Sequence, residues 1–220
     1  MPIVEHLEAQ SILRGSALPA TLRDLAERGE LRRYPKGAVL IEEGDAGDMI
    51  FLILSGRVKA YSAGNGREVI YGHYGSGEYV GEMSLDGGLR AASVITLEKT
   101  VCSLISRHTL EDFIAERPAF AFDLLAKVIR RARAATLSTK QMALNDVYGR
   151  LKLLLESLAV MHASDGGLLI EERLTHQEIA NRLGCSREMV SKVMKDLVKG
   201  GYVNTREKGL LLSSALPPRW

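Results

Sequence analysis

The chain has 220 residues, 29 Lys and Arg against 27 Asp and Glu, 46% apolar and 25% charged side chains, and two cysteines. This composition excludes a disordered or collagen-like chain, and the length suits about two domains of roughly 100 residues each. No run reaches the ~18 apolar residues that span a bilayer. The start, Met1-Pro2-Ile3-Val4-Glu5-His6, lacks a signal peptide's basic opening and apolar block. Cys102 and Cys185 make no CxxC and no Cys/His cluster, which speaks against a disulfide framework, a zinc site or a four-cysteine iron–sulfur cluster. A cytoplasmic protein with no metal, no cofactor and no membrane partner is expected.

Leu18, Leu22 and Leu25 stand at helical spacing within a helical opening stretch, about 1–30. From Leu31 to about Ile105 short apolar runs recur, several of them closed by glycine. They are Ala38–Ile41, Ile50–Leu54, Val69–Tyr71, Tyr79–Val80, Ala92–Ile95 and Val101–Ile105. Even spacing of this kind predicts a small β-barrel, sandwich or roll, and Gly64-Asn65-Gly66 is a hairpin signal between two runs.

Pro118 opens a different regime. Ala119 to Leu144 contains neither glycine nor proline, and Ala121, Leu125, Val128, Ala132, Ala135, Thr139 and Met142 alternate at four- and three-residue steps. That is a heptad seam held for about three heptads on a helix some 37 Å long, with Lys127, Arg130, Arg131 and Arg133 on its exposed face. It fits a long core helix lying across the β domain, or a parallel seam between two copies of the chain. The small residues at its centre, which permit close approach, favour the second.

Asn145-Asp146 can cap a further helix running from about Val147 to Ala163, with Leu151, Leu154, Leu155 and Leu158 on one face and Asp165-Gly166-Gly167 ending it. Leu168–Ile170 is a predicted strand. Two short helices follow at about 175–182 and 186–198. A turn at Gly200-Gly201 then leads into a hairpin whose arms, Tyr202–Asn204 and Leu210–Leu212, are joined at Lys208-Gly209. The pattern divides the chain into an effector-type β domain over 1–116, a helix over 117–145 and a C-terminal domain over 146–220. Net charge over these three segments is −5, +5 and +2, and residues 175–219 hold eight basic against four acidic side chains. Basic charge gathered near one end suits a polyanionic partner or a solvated basic face.

The two short helices carry the clearest signal. Thr175 with Glu178 makes a capping box, Gly184 allows a left-handed turn, and Ser186 caps the second helix. Ile179, Ala180 and Leu183, then Val190, Val193, Met194 and Leu197, form the inward faces. Arg187, Glu188, Ser191, Lys192 and Lys195 remain outside. Two such helices joined by a glycine turn are a helix-turn-helix. Arg187 can donate twice to guanine O6 and N7, Glu188 can accept from the cytosine amino group, and Lys192 can reach a guanine or a phosphate. Double-stranded DNA is the expected partner, against an αα-hairpin that merely packs.

Gly77-Glu78-Tyr79-Val80-Gly81-Glu82-Met83-Ser84 and the stretch to Arg90-Ala91-Ala92 mix glycines, carboxylates and one arginine. Backbone N–H groups at Gly81, at Ala91 and in a short helix between them can cradle a phosphate, Arg90 can pair with its charge, and Glu82 can accept from a sugar hydroxyl. The same residues fit a glycine-rich turn with a surface ion pair. No paired carboxylates, no nucleophile with a base and no metal cluster point to an enzyme.

Taken together these motifs resemble the CRP/FNR family of bacterial transcription regulators, over about residues 20–213. Gly44, Ile53-Leu54-Ser55-Gly56-Arg57-Val58, Gly77 to Glu82 and Arg90-Ala91-Ala92 resemble its cyclic-nucleotide β-roll, and Gly184 to Val190 resembles the start of its recognition helix. The resemblance implies an α+β fold: a cyclic-nucleotide-binding β-roll of jelly-roll type, a long dimerisation helix and a C-terminal winged helix-turn-helix. It implies a homodimer joined through Leu125, Val128, Ala132, Ala135, Thr139 and Met142, with RNA polymerase as a further partner. A cyclic nucleotide, cyclic AMP first and cyclic di-GMP next, would be held by Gly81, Glu82, Met83, Arg90, Ala91 and Thr136. Thr175, Ser186, Arg187, Glu188, Ser191, Lys192 and Lys195 would meet a palindromic TGTGA-like site. Lys192 and Ala135 depart from the family pattern, Lys192 standing where arginine is usual and Ala135, with Thr136, where side chains meet the base. Relatives that sense through iron–sulfur clusters or haem need ligands not seen here. His73, His108 and His162 read as structural or surface residues, Pro2 alone carries no inference, and Cys185 reads as a small apolar residue.

Overall fold

A computed structural model describes residues 11–13, 18–64, 67–161, 168–206, 209–213 and 215–217, the side chains of Arg67, Gln141 and Met161 excepted. The chain divides into two compact units, 1–62 with 70–133, and 63–69 with 134–220. Of the helical stretch expected over about 1–30, residues 11–13 and α1, Ala20–Glu27, are helical, while residues 1–10 and 14–17 lie outside the described set. Helix α1 starts after Pro19, leaves Leu18 outside it, buries Leu25 and Ala26, and ends before Glu30 opens a strand.

Eight strands follow: β1 Glu30–Tyr34, β2 Val39–Ile41, β3 Ile50–Ser55, β4 Val58–Gly64, β5 Arg67–Tyr74, β6 Tyr79–Val80, β7 Ser93–Thr96 and β8 Thr100–Ile105. They form two four-stranded sheets, in the orders β1-β8-β3-β6 and β2-β7-β4-β5. The Gly64-Asn65-Gly66 turn falls between the paired strands β4 and β5, and its residues 65 and 66 lie outside the described set.

The unbroken apolar run of β3 has a physical reason. Phe51 and Ile53 enter a core shared by both sheets, with Ile41, Val58, Ala60 and Val94. Ile50, Leu52 and Leu54 enter a second core on the other face of the same sheet. That second core is closed by Leu25 of α1, Leu110 and Phe113 of α2 (Arg107–Glu116), and Phe120 of α3 (Ala119–Leu144). A strand covered on both faces needs apolar side chains at every position. The chain of α2 has no counterpart among the sequence expectations, although Ser106 caps it by accepting from the Thr109 N–H at 3.1 Å.

In the second unit α4 spans Val147–Leu158, with Asp146 accepting from the Gly149 N–H at 2.7 Å. The helix expected to reach Ala163 stops earlier. Ala159 is extended, and Val160–Met161 forms β9, pairing with β10, Leu168–Ile170. A β-branched valine with a ladder partner is better placed in a strand than in a fraying last turn. The predicted stop at Asp165-Gly166-Gly167 and His162 lie outside the described residues.

Helices α5, His176–Leu183, and α6, Arg187–Lys199, precede β11, Val203–Arg206, and β12, Gly209–Leu212, in a sheet ordered β11-β12-β10-β9. Lys208 of the predicted hairpin turn lies outside the described set. All the residues predicted to face inward on α5 and α6 are buried, in one cluster with Leu151, Leu155, Ile170, Val203 and Leu212. Among the described residues no helix is long and apolar enough to cross a membrane. Leu197 is fully buried in that cluster. Leu197→Ala is expected to cost about 2–5 kcal/mol, measurable as a lowered denaturation midpoint in urea.

Candidate functional site

Val80 ends β6, and Gly81 follows at φ 92°, in the left-handed region, capping a 3₁₀ turn over Glu82–Ser84. Glycine is required there for a second reason: a Cβ would lie 2.8 Å from Arg90 Nη1 and 2.9 Å from the Met49 carbonyl. Gly47 is equally constrained, its Cβ position being 2.7 Å from Arg90 Nη2. Two glycines thus make room for one guanidinium.

Arg90 is only 8% exposed. Nη1 donates to the Gly81 carbonyl and to Ser84 Oγ, each at 2.8 Å, and Nη2 donates to the Met49 carbonyl at 2.9 Å. Its own backbone is fixed as well, the N–H donating to the Asp45 carbonyl at 2.8 Å and the carbonyl accepting from Gly44 at 2.9 Å. Among the described residues none of the guanidinium's hydrogen-bond partners is a carboxylate. Burial lowers its pKa, opposed by the nearby charges of Asp48 and Glu82. A cavity of about 240 Å³ opens beside it, lined also by Val39, Leu40, Ile41, Glu42, Asp45 and Ala46.

Glu82 is buried too, and its charge is met from the long helix. Arg131 Nη1 lies 2.5 Å from Glu82 Oε1, and Arg131 Nη2 donates to the Tyr79 carbonyl at 2.5 Å. The guanidinium also stands 4.4 Å from the centre of the Tyr74 ring. One turn earlier Lys127 donates to the Gly77 carbonyl at 2.9 Å and sits 4.2 Å above the Tyr79 ring. Burial lowers the Lys127 pKa and raises that of Tyr79. Lys127 and Arg131, expected on the exposed face of the helix, are therefore turned onto the β-roll. The signal for it was faint: two cations four apart on an alanine-rich helix, and an acidic residue in a glycine loop with no cation beside it in sequence.

The remaining candidates of this loop are more open. Met83 and Leu89 are 59% and 62% exposed, and Ala91 is exposed. Thr136 is an exposed position of α3, as is every other described side chain from Ala132 to Leu144. On the expected seam Leu125 is 53% and Met142 43% exposed, Val128 is half-buried, and Ala132, Ala135 and Thr139 are exposed. Phe122, Ile129 and Leu137 of the same helix are exposed as well. A single chain leaves this apolar length uncovered.

In the second unit the capping box closes as expected, Thr175 Oγ1 accepting from the Glu178 N–H at 3.1 Å and Glu178 Oε2 from the Thr175 N–H at 2.7 Å. Gly184 takes φ 65°, and Ser186 Oγ accepts from the Met189 N–H at 3.3 Å. These bonds orient α6 so that Arg187, Glu188, Lys192 and Lys195 are exposed, with Ser186 and Ser191 half-buried. Thr175 is exposed, but its hydroxyl is already engaged by Glu178 at 2.9 Å.

Residues 31–117 match the cyclic nucleotide-binding domain family, and residues 150–214 match the Crp-like helix-turn-helix domain family. The chain is 31% identical over 201 residues to a CRP-like cAMP-activated global transcriptional regulator of Mycobacterium tuberculosis, covering 90% of each protein. It is 32% identical over 179 residues to the cyclic AMP receptor protein of Thermus thermophilus, covering 78% of each. Among solved structures, the c-di-GMP-responsive global regulator CLP of Xanthomonas campestris superposes with a TM-score of 0.76 at 27% identity, over 88% of this chain and 98% of that one.

The Glu82–Arg131 pair sets an expectation for stability. Removing one partner of a buried ion pair costs about 3–5 kcal/mol, because the other charge is left unmet. Arg131→Met is expected to lie near that range and Glu82→Gln to be destabilising as well. The double variant Glu82→Gln with Arg131→Met should lose clearly less than the sum of the two, as read by urea unfolding of all four proteins.

Proposed function

The chain belongs to the CRP/FNR family of transcription regulators, and from that premise we propose that it is a nucleotide-responsive DNA-binding homodimer. The observation that carries the sensor half is Arg90: a buried cation held by three uncharged oxygens, next to the amino end of a short 3₁₀ turn and between two glycines that a side chain would block. A phosphate supplies the negative charge that this guanidinium lacks, with the Ala91 N–H beside it as a further donor. Glu82, already neutralised by Arg131, keeps a carboxylate oxygen for a sugar hydroxyl.

Two copies join through the exposed apolar length of α3, Leu125, Val128, Ala132, Ala135, Thr139 and Met142 forming the seam. A twofold protein of this kind reads a twofold DNA site, with a recognition helix in each of two successive major grooves. In each copy Arg187 and Glu188 read the two bases of G·C pairs, and Lys192 and Lys195 meet guanine or phosphate. The half-site is TGTGA-like, and RNA polymerase is the partner through which the bound protein acts.

Cyclic AMP is the first effector to test, in keeping with the relatives named for it. Cyclic di-GMP is the second, favoured by the likeness to a regulator described as responsive to it. Calorimetric titration of nucleotide-free protein is expected to give saturable heat with one of the two, and Arg90→Ala should abolish it. Absence of heat and of any thermal shift with both would overturn the effector assignment and leave the DNA reading standing. Arg187→Ala is expected to weaken binding to the preferred duplex by about 1–3 kcal/mol and to relax the choice of base at one position, measured by fluorescence anisotropy across single base-pair variants.

A further inference from the structure

Arg187, Ser191 and Lys195 follow one another at four-residue intervals along α6, and Glu188 and Lys192 make the row beside them. Val190, Val193, Met194 and Leu197 fill the opposite, buried face. Ser191 therefore stands inside the arc of side chains assigned above to base reading. It differs from its neighbours in being half-buried where they are exposed.

Its hydroxyl is taken up by the other helix of the motif. Ser191 Oγ lies 2.9 Å from Nδ1 of His176, the first residue of α5. Among the described residues this is the only side-chain hydrogen bond that joins the two helices. A serine inside a helix can point to solvent or turn back to the carbonyl of the preceding turn, whereas this one is held across to its neighbour. The histidine is itself well anchored, because the capping box of Thr175 and Glu178 fixes the first turn of α5. His176 was not among the residues that the sequence pattern assigns to DNA.

We infer that His176 is a positioning residue for DNA recognition: it fixes the Ser191 hydroxyl at the base-reading surface, and the pair discriminates at one base pair of the half-site. A free serine hydroxyl donates or accepts as required and so discriminates poorly among bases. When the hydroxyl donates to an unprotonated Nδ1 its one hydrogen is spent and the oxygen can only accept from a base. When Nδ1–H donates to it, the remaining O–H is held to a narrower range of directions. An indifferent group becomes a selective one. This inference rests on the reading of α6 as the helix that enters the major groove.

The test uses the full chain, with cyclic AMP and in parallel with cyclic di-GMP, and a preferred duplex selected from a randomised palindromic pool. Anisotropy titrations then compare every single base-pair variant for the unchanged protein, Ser191→Ala, His176→Ala, the double variant and Arg187→Ala. Ser191→Ala and His176→Ala are expected to flatten discrimination at the same base pair by roughly five- to tenfold. The double variant should lose no more than either single one, and Arg187→Ala should act at a different base pair. His176→Asn, whose amide reaches the position of Nδ1, should restore the preference, and His176→Gln should not. That last comparison carries the test by itself if His176→Ala does not fold. Equal weakening on all duplexes, additive losses at separate base pairs, or a lowered thermal midpoint with unchanged discrimination would each overturn the inference. A protein that selects no sequence at all overturns the DNA reading and this inference with it. Sequence selection that Arg187→Ala relaxes and Ser191→Ala leaves untouched overturns this inference alone.

Discussion

A charged group withdrawn from water has to be met by oxygen atoms, by an opposite charge or by a ligand, since the interior cannot repay its lost hydration otherwise. The β-roll brings three such groups together in space: Glu82, Arg90 and, reaching in from the long helix, Arg131. Their partners are divided unequally. Arg131 takes the carboxylate, and Arg90 is left with two carbonyls and a hydroxyl. The local backbone follows from that division. Gly47 and Gly81 are bare because the guanidinium of Arg90 occupies the space of their side chains, and Gly81 adopts a left-handed conformation to bring its carbonyl round to it.

The same division explains how an acidic residue can stand next to a site suited to a phosphate. An unpaired carboxylate there would repel an anion and consume the charge of Arg90. With Glu82 neutralised by a cation from another element, the positive charge that remains in the wall of the roll belongs to Arg90. Lys127, also drawn in by the Gly77 carbonyl and the Tyr79 ring, adds to it. Lys127 is held by a ring face and a backbone oxygen, a mode of satisfaction that keeps the local charge positive, whereas Arg131 spends its charge on Glu82.

What the sequence reveals and what it hides divide along the range of the interactions. The helix-turn-helix was legible because each of its signals acts within a few residues: Thr175 with Glu178, the turn at Gly184, the cap at Ser186 and the apolar spacing of α6. The apolar run of β3 was legible as a strand, and its burial on both faces is seen only in the fold. By contrast, β1 reads Glu30-Leu31-Arg32-Arg33-Tyr34 and is a strand because β8 pairs with it in register. The end of α4 at Leu158 is likewise decided by a partner strand ten residues away. Arg131 looked like one more surface cation because its carboxylate comes from a loop about fifty residues earlier, and His176 looked like a helix-start residue because Ser191 lies on the next helix. No period or spacing encodes a contact of that kind.

The long helix is where these long-range contacts acquire a consequence. It runs unbroken from Ala119 to Leu144, its first half fastened to the roll by Lys127 and Arg131, and Asp146 caps the helix that follows it. A ligand changes a protein's conformation only to the extent that it binds one arrangement better than another. A nucleotide that shares Glu82 with Arg131, or places a phosphate against Arg90, alters the electrostatic surroundings of the cations that fasten this helix. Its preference between arrangements is then set by how well Arg131 is still satisfied in each. The fastening is therefore a structural bond at the point where a nucleotide bound by the roll would acquire a differential free energy.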